Sequence, residues 1–237
     1  MRRYLTGRRS GFTLVELMIV IAVVVLLMAV LVASFTGVFS SRDKGIAKST
    51  IEMLKANISS YEARWGAPPP STLSQLGTLS RVPDLVDVNQ TNTGIEAMVV
   101  ALRSNREGGP YLDADLLAND ERRTNLDADE MLPEVLAPEA MDIEGSPELF
   151  ELVDPWGNPY VYLNMTDIRQ GTIEEEIILA DGSTIELDVT RMQELFKHPV
   201  TGQYPKGYVL WSFGEDGVND YGRGDDITSW PKYDEQE

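Results

Sequence analysis

The sequence predicts an α+β fold, with one long N-terminal helix followed by a small antiparallel sheet. Three observations carry this expectation. Residues 17–41 contain no charged side chain. Apolar residues then keep helical spacing as far as Trp65, and the last third of the chain breaks into short β-type runs bounded by turn residues. Strands that follow a helix without alternating with helices point to α+β rather than to a wound parallel sheet.

The first helix is expected from Phe12 to about Trp65. Over residues 12–39 it is apolar on every side. At about 1.5 Å per residue this stretch exceeds the roughly 30 Å of a bilayer core, so a membrane span is expected. Arg2, Arg3, Arg8 and Arg9 precede it, whereas Arg42-Asp43-Lys44 after it is nearly balanced. That bias places the N-terminus in the cytoplasm and the C-terminus across the membrane. Over residues 40–66 the same helix becomes one-sided. Ala47, Ile51, Leu54, Ile58, Tyr61 and Trp65 form a stripe, with Lys48, Glu52, Lys55 and Glu62 mostly off it. Gly66-Ala67-Pro68-Pro69-Pro70 ends the helix, because proline cannot continue it.

Residues 67–146 read as an acidic, loop-rich variable region. Within it, 71–80 suits a short helix or turn, and 94–104 (GIEAMVVALRS) a helix. The acidic patch at 119–130 lacks the glycine and terminal glutamate of an EF-hand loop and is expected to be solvated. Residues 147–237 are expected to form the sheet. Its strands are 160–163 and 208–213, with an enlarged hairpin over 171–206 turning at Asp181-Gly182.

The totals exclude several functions. A net charge of −18 argues against a nucleic-acid partner, which needs clustered Lys and Arg. With no cysteine, neither disulfides nor thiolate metal sites are available. No catalytic constellation is visible. His198 is the only histidine and has no nucleophile at motif-like spacing, so it is expected to be structural.

Glu16 is the anomaly, a carboxylate just inside an apolar span, where a charge is costly unless paired. The apolar run is too long for a secretory signal and has no clean cleavage site after it. A plain anchor leaves Glu16 unexplained. Gly11-Phe12-Thr13-Leu14-Val15-Glu16, with basic residues before it, resembles the class III signal of type IV pilins and pseudopilins. The resemblance implies that a prepilin peptidase removes residues 1–11 by cutting between Gly11 and Phe12, then N-methylates Phe12. It further implies that Glu16 pairs with the Phe12 amine of a neighbouring subunit during filament assembly.

Two further stretches narrow the family. DPWGNPY, residues 154–160, reads as a rigid corner with Trp156 packed beneath it. It also resembles an element of the major pseudopilin of type II secretion systems, protein G. The second stretch, residues 214–226, holds five carboxylates and four glycines. On chemistry alone a solvated turn and a calcium site both remain open. Major pseudopilins end in a similar calcium-binding loop, which implies Ca²⁺ ligands at Asp216, Asp225 and Asp226, with the Phe213 carbonyl as a further donor. This loop is more compact than the usual family version.

The expected function is therefore a non-enzymatic structural subunit of a periplasmic filament that drives protein export. Its implied partners are further copies of itself, minor pseudopilins, an inner-membrane assembly platform and the prepilin peptidase. The rivals are a type IV pilin or minor pilin of a surface fibre, and a membrane-anchored extracytoplasmic calcium-binding module. Pilins of the first kind often close their C-terminal loop with a disulfide, which this chain cannot form.

Overall fold

Helix α1 runs Leu14–Trp65. It ends where the Gly66 N–H bonds the Glu62 carbonyl at 2.8 Å, just before the three prolines. The computed structural model describes residues 13–80, 91–112 and 122–232, and the side chains of all of these except 30–39 and 77–80. Two units are distinguished, Met1–Arg42 and Asp43–Glu237.

In the first unit the large apolar side chains of residues 14–28 are exposed, from 47% at Val24 to 73% at Leu14. Among the described residues no helix is long and apolar enough to cross a membrane. Of the expected span at 12–39, residues 14–39 are helical in α1, and the side chains at 30–39 lie outside the described residues.

In the second unit the predicted stripe is the buried face of α1. Ala47, Ile51, Leu54, Ile58 and Tyr61 are between 0% and 3% exposed, and Trp65 stacks on Tyr61 with ring centroids 5.5 Å apart. Helix α2, Leu73–Ser80, follows the prolines. Helix α3 is Thr93–Arg103, and every one of its residues is buried. The acidic region was expected to be mainly a loop-rich surface. Instead, α3 and residues Met131, Val135, Met141 and Ile143 belong to the same core as α1. Net acidity concealed this, because the apolar residues are spread between charged turns.

A single turn, α4 (Pro133–Leu136), packs Val135 into this core. Strand β1 (Arg123–Thr124) pairs antiparallel with β2 (Glu151–Leu152).

The main sheet is antiparallel, in the order β3 (Val161–Asn164), β6 (Tyr208–Ser212), β7 (Ile227–Thr228). Val161 lies opposite Trp211, and Tyr162 opposite Leu210. Alternate residues point to opposite faces. Tyr160, Tyr162 and Leu210 join the core of α1 and α3, whereas Val161, Leu163, Val209 and Trp211 enter a second core. A sheet covered on both sides explains why VYL and YVLW read as continuous apolar runs.

The second face is covered by α5 (Met165–Gln170), the hairpin β4 (Glu176–Ile178) and β5 (Thr184–Glu186), and α6 (Val189–Leu195). The hairpin turns at Asp181-Gly182 as predicted, but it is shorter than expected. Residues 189–195 are helical because Asp188 caps them, its side chain accepting from the Arg191 N–H at 3.0 Å. Met192 and Phe196 then fill the second core.

The corner at 154–160 is held by Asp154 rather than by the tryptophan. Asp154 Oδ1 accepts from the N–H groups of Trp156 and Asn158, both at 3.0 Å. Its Oδ2 accepts from the Ser212 hydroxyl at 2.6 Å. Trp156 is only half-buried, not packed beneath the turn as predicted. Two prolines and a buried carboxylate already rigidify the loop, so the ring is not needed as a wedge. Burial pushes the Asp154 carboxyl up to about 6, against the lowering effect of hydrogen bonds from Ser212, Asn158, Trp156 and Gly157.

Candidate assembly motif and metal centre

At the start of α1, Thr13 and Glu16 form a reciprocal cap. Glu16 Oε2 accepts from the Thr13 N–H at 2.9 Å and from its hydroxyl at 2.8 Å. The Thr13 hydroxyl in turn accepts from the Glu16 N–H at 3.2 Å. Thr-x-x-Glu is a capping-box spacing, which satisfies donors that a helix start leaves free. Within one chain Glu16 therefore has a local role that the sequence reading missed, although the spacing was legible. Gly11 and Phe12, the expected processing residues, lie outside the described residues.

The C-terminal loop between β6 and β7 brings three carboxylates together. One oxygen each of Asp216, Asp220 and Asp225 lies within 4.8 Å of the others. Asp216 and Asp225 were expected here; Asp220 was not. The family resemblance pointed to the first acid of the loop and to the acids before Ile227, and passed over the middle. Asp225 Oδ2 accepts from the Glu215 N–H at 2.8 Å, drawing the two ends of the loop together. A Cβ at Gly214 would lie 2.6 Å from Asp225 Oδ2, and one at Gly224 would lie 2.3 Å from Asp220 Oδ2. Glycine is required at both positions for the carboxylates to close in.

Asp226 is placed elsewhere. It is 1% exposed, and its Oδ2 accepts from the Gly222 N–H at 2.7 Å. Burial raises its carboxyl to about 7. Its Oδ2 holds the loop backbone, its Oδ1 is buried without a hydrogen-bond partner, and it stands outside the group formed by Asp216, Asp220 and Asp225. Phe213 is fully buried where β6 enters the loop.

The loop is anchored on the fold from below. Trp211 Nε1 donates to Asn219 Oδ1 at 3.3 Å. The Gly214 N–H donates to the Ser212 hydroxyl at 3.1 Å, and that hydroxyl donates to Asp154. The DPWGNPY corner and the acidic loop are thus joined through Ser212. The donor set is oxygen-only, half-exposed and flanked by glycines, which suits Ca²⁺ better than a transition metal.

His198 has the structural place expected of it. Its Nδ1 accepts from the Val200 and Thr201 N–H groups at 3.1 and 3.2 Å, closing a turn.

Residues 6–32 match the family described as the prokaryotic N-terminal methylation motif. The chain carries a prepilin-type methylation motif. Comparison with curated proteins and with solved structures gives no match. The methylation motif includes Gly11, Phe12, Thr13 and Glu16, so the capping box lies inside it. It supports a type IV pilin-like or pseudopilin protein, a class of structural subunits that are processed by prepilin peptidase and polymerise. The α+β architecture, a long first helix followed by small antiparallel sheets, fits that class.

Proposed function

We propose that the chain is a G-type pseudopilin, a structural subunit of the type II secretion pseudopilus, polymerising in the periplasm to drive protein export. The observation that carries this reading is the methylation motif with Glu16 inside it. The DPWGNPY corner and the acidic loop it braces support the narrower assignment to the major subunit. In this reading the apolar first half of α1 anchors the chain in the inner membrane and later becomes the filament core. Its exposed side chains at 14–28 require such surroundings. Copies of the chain, minor pseudopilins and the inner-membrane assembly platform are the partners, and no catalytic step belongs to the protein itself.

Intact-mass measurement of membrane-extracted protein tests the processing. The expected mature chain begins at Phe12 and carries one added methyl group. A chain that still begins at Met1, or one cut beyond the apolar run, would remove the pilin reading.

Ca²⁺ in the C-terminal loop is part of the same proposal, with Asp216, Asp220 and Asp225 as its carboxylate ligands. The ion would staple a loop that the chain cannot close with a disulfide. Because the unfolded chain cannot gather these oxygens, binding stabilises by mass action, by about 2.7 kcal/mol at 100-fold excess over Kd. Thermal melts in calcium and in chelator measure this. Asp220→Ala should reduce the calcium-dependent rise in Tm, and magnesium should replace calcium poorly. Equal calcium responses in wild type and Asp220→Ala would exclude the loop as a site.

A further inference from the structure

A second group of carboxylates lies inside the fold, away from the C-terminal loop. Glu96 is on the first turns of α3, Glu151 on β2, and Asp127 in the turn after β1. One oxygen from each lies within 4.8 Å of the others. Glu96 and Glu151 are both 0% exposed, and Asp127 is half-buried.

The surroundings show how far this cluster has been built. Glu151 Oε1 accepts from Asn92 Nδ2 at 2.8 Å and from the Leu126 N–H at 3.3 Å. Asn92 is itself fully buried in a left-handed conformation, φ 53°, and its Oδ1 accepts from the Ile178 N–H at 3.1 Å. Asn125 pins the turn that carries Asp127. It donates to the Asp129 carbonyl at 2.8 Å and accepts from the Asp129 N–H at 3.1 Å. Glu175, 4% exposed, accepts from the Gly94 N–H at 3.0 Å.

Glu96 is the exception. Neither of its carboxylate oxygens has a hydrogen-bond partner, and Glu175 Oε2 has none either. A buried carboxylate without a partner is expensive in either protonation state, since the neutral acid would also leave its O–H unused. The neighbouring carboxylates approach Glu96 without bonding to it. A spacing within 4.8 Å and without a hydrogen bond to Glu96 leaves no proton shared with it. It suits oxygens that each stand about 2.3–2.6 Å from one central cation.

We propose that Glu96, Asp127 and Glu151 bind a divalent, oxygen-preferring cation of the calcium class, which ties α3 to β2 and to the turn after β1. No sulfur or nitrogen ligand is present in the set, so a hard cation is favoured. Calcium fits better than magnesium, because Mg²⁺ keeps several waters and two of the three ligands have no solvent beside them. Half-buried Asp127 provides the entrance. Such an ion also answers the electrostatics, for the groups acting on Glu96 are all acids: Asp129, Asp127, Glu151 and Glu175. Without a cation, burial and these neighbours push Glu96 up to about 11, and burial pushes Glu151 up to about 7.

Calcium binding by the detergent-solubilised full chain, measured by equilibrium dialysis, tests the site separately from the C-terminal loop. Glu96→Gln should lower the stoichiometry by one calcium per chain, and so should Asp127→Asn. Asp220→Ala should remove a different one, leaving the Glu96 site filled. Melting supplies the second readout. In chelator Glu96→Gln should melt close to wild type, because burial and the acidic neighbours already hold Glu96 neutral when no ion is bound; in calcium it should melt below. Unchanged stoichiometry in both Glu96→Gln and Asp127→Asn, or a Glu96→Gln protein that melts above wild type in calcium, would overturn the proposal.

Discussion

Glu16→Ala is expected to leave membrane insertion intact and to abolish ordered filaments. Removing a charge from an apolar segment eases insertion. Polymerisation, under the proposed pairing with the neighbour's Phe12 amine, loses a buried ion pair and leaves an uncompensated charge on the partner. Breaking such a pair costs about 3–5 kcal/mol, or roughly two to four powers of ten in subunit association. Glu16 also caps its own helix through Thr13, so a control is needed. Thr13→Val removes the hydroxyl that shares in the cap and should cost only about 1 kcal/mol, with filaments still formed. Filament yield by electron microscopy separates the two variants. If Thr13→Val loses filaments as completely as Glu16→Ala, Glu16 acts through helix capping, and pairing between subunits is excluded.

Gly94→Ala is expected to prevent the second unit from folding stably. In a helix, replacing glycine with alanine normally gains about 1 kcal/mol. Here the added Cβ would lie 2.1 Å from the Tyr162 carbonyl oxygen and 3.0 Å from Glu175 Oε2. The carbonyl belongs to β3, which is paired along its whole length with the central strand β6, and a backbone atom cannot swing aside. Moving α3 away from β3 would open the core that holds Ile95, Met98 and Leu102. Overpacking usually costs about 1–3 kcal/mol, and this contact should reach or exceed the upper end. That is a large part of the roughly 5–15 kcal/mol that holds a domain together. Chemical denaturation of detergent-solubilised protein measures it. A Gly94→Ala chain as stable as wild type would mean that α3 does not approach β3 this closely.

Local patterns made much of the architecture legible. The end of α1 at Trp65, its buried stripe, the strands at 161–164 and 208–212 and the turn at Asp181-Gly182 all follow from spacing, proline and glycine. Each of these signals needs only neighbours within a few residues. Residues 189–195 carried a similar local signal, the Asp188 cap, but it was hidden by reading the whole stretch as one hairpin.

The sequence by itself determined the methylation motif, the long helix with its change from apolar to one-sided, and the absence of any disulfide. These depend on residue types in short order along one chain. Only the tertiary structure decided which acids meet. Asp220 joins Asp216 and Asp225 because Gly214 and Gly224 let the loop close, while Asp226 turns inward to hold Gly222. Glu96, Asp127 and Glu151 come from three separate elements, and no spacing in the sequence relates them. Their meeting depends on α3 lying against β2 and β3, a contact fixed by Asn92, Gly94 and the burial of one whole helix. Carboxylates far apart in sequence acquire a common chemistry only when packing removes the water between them and brings their charges within reach of a single ion.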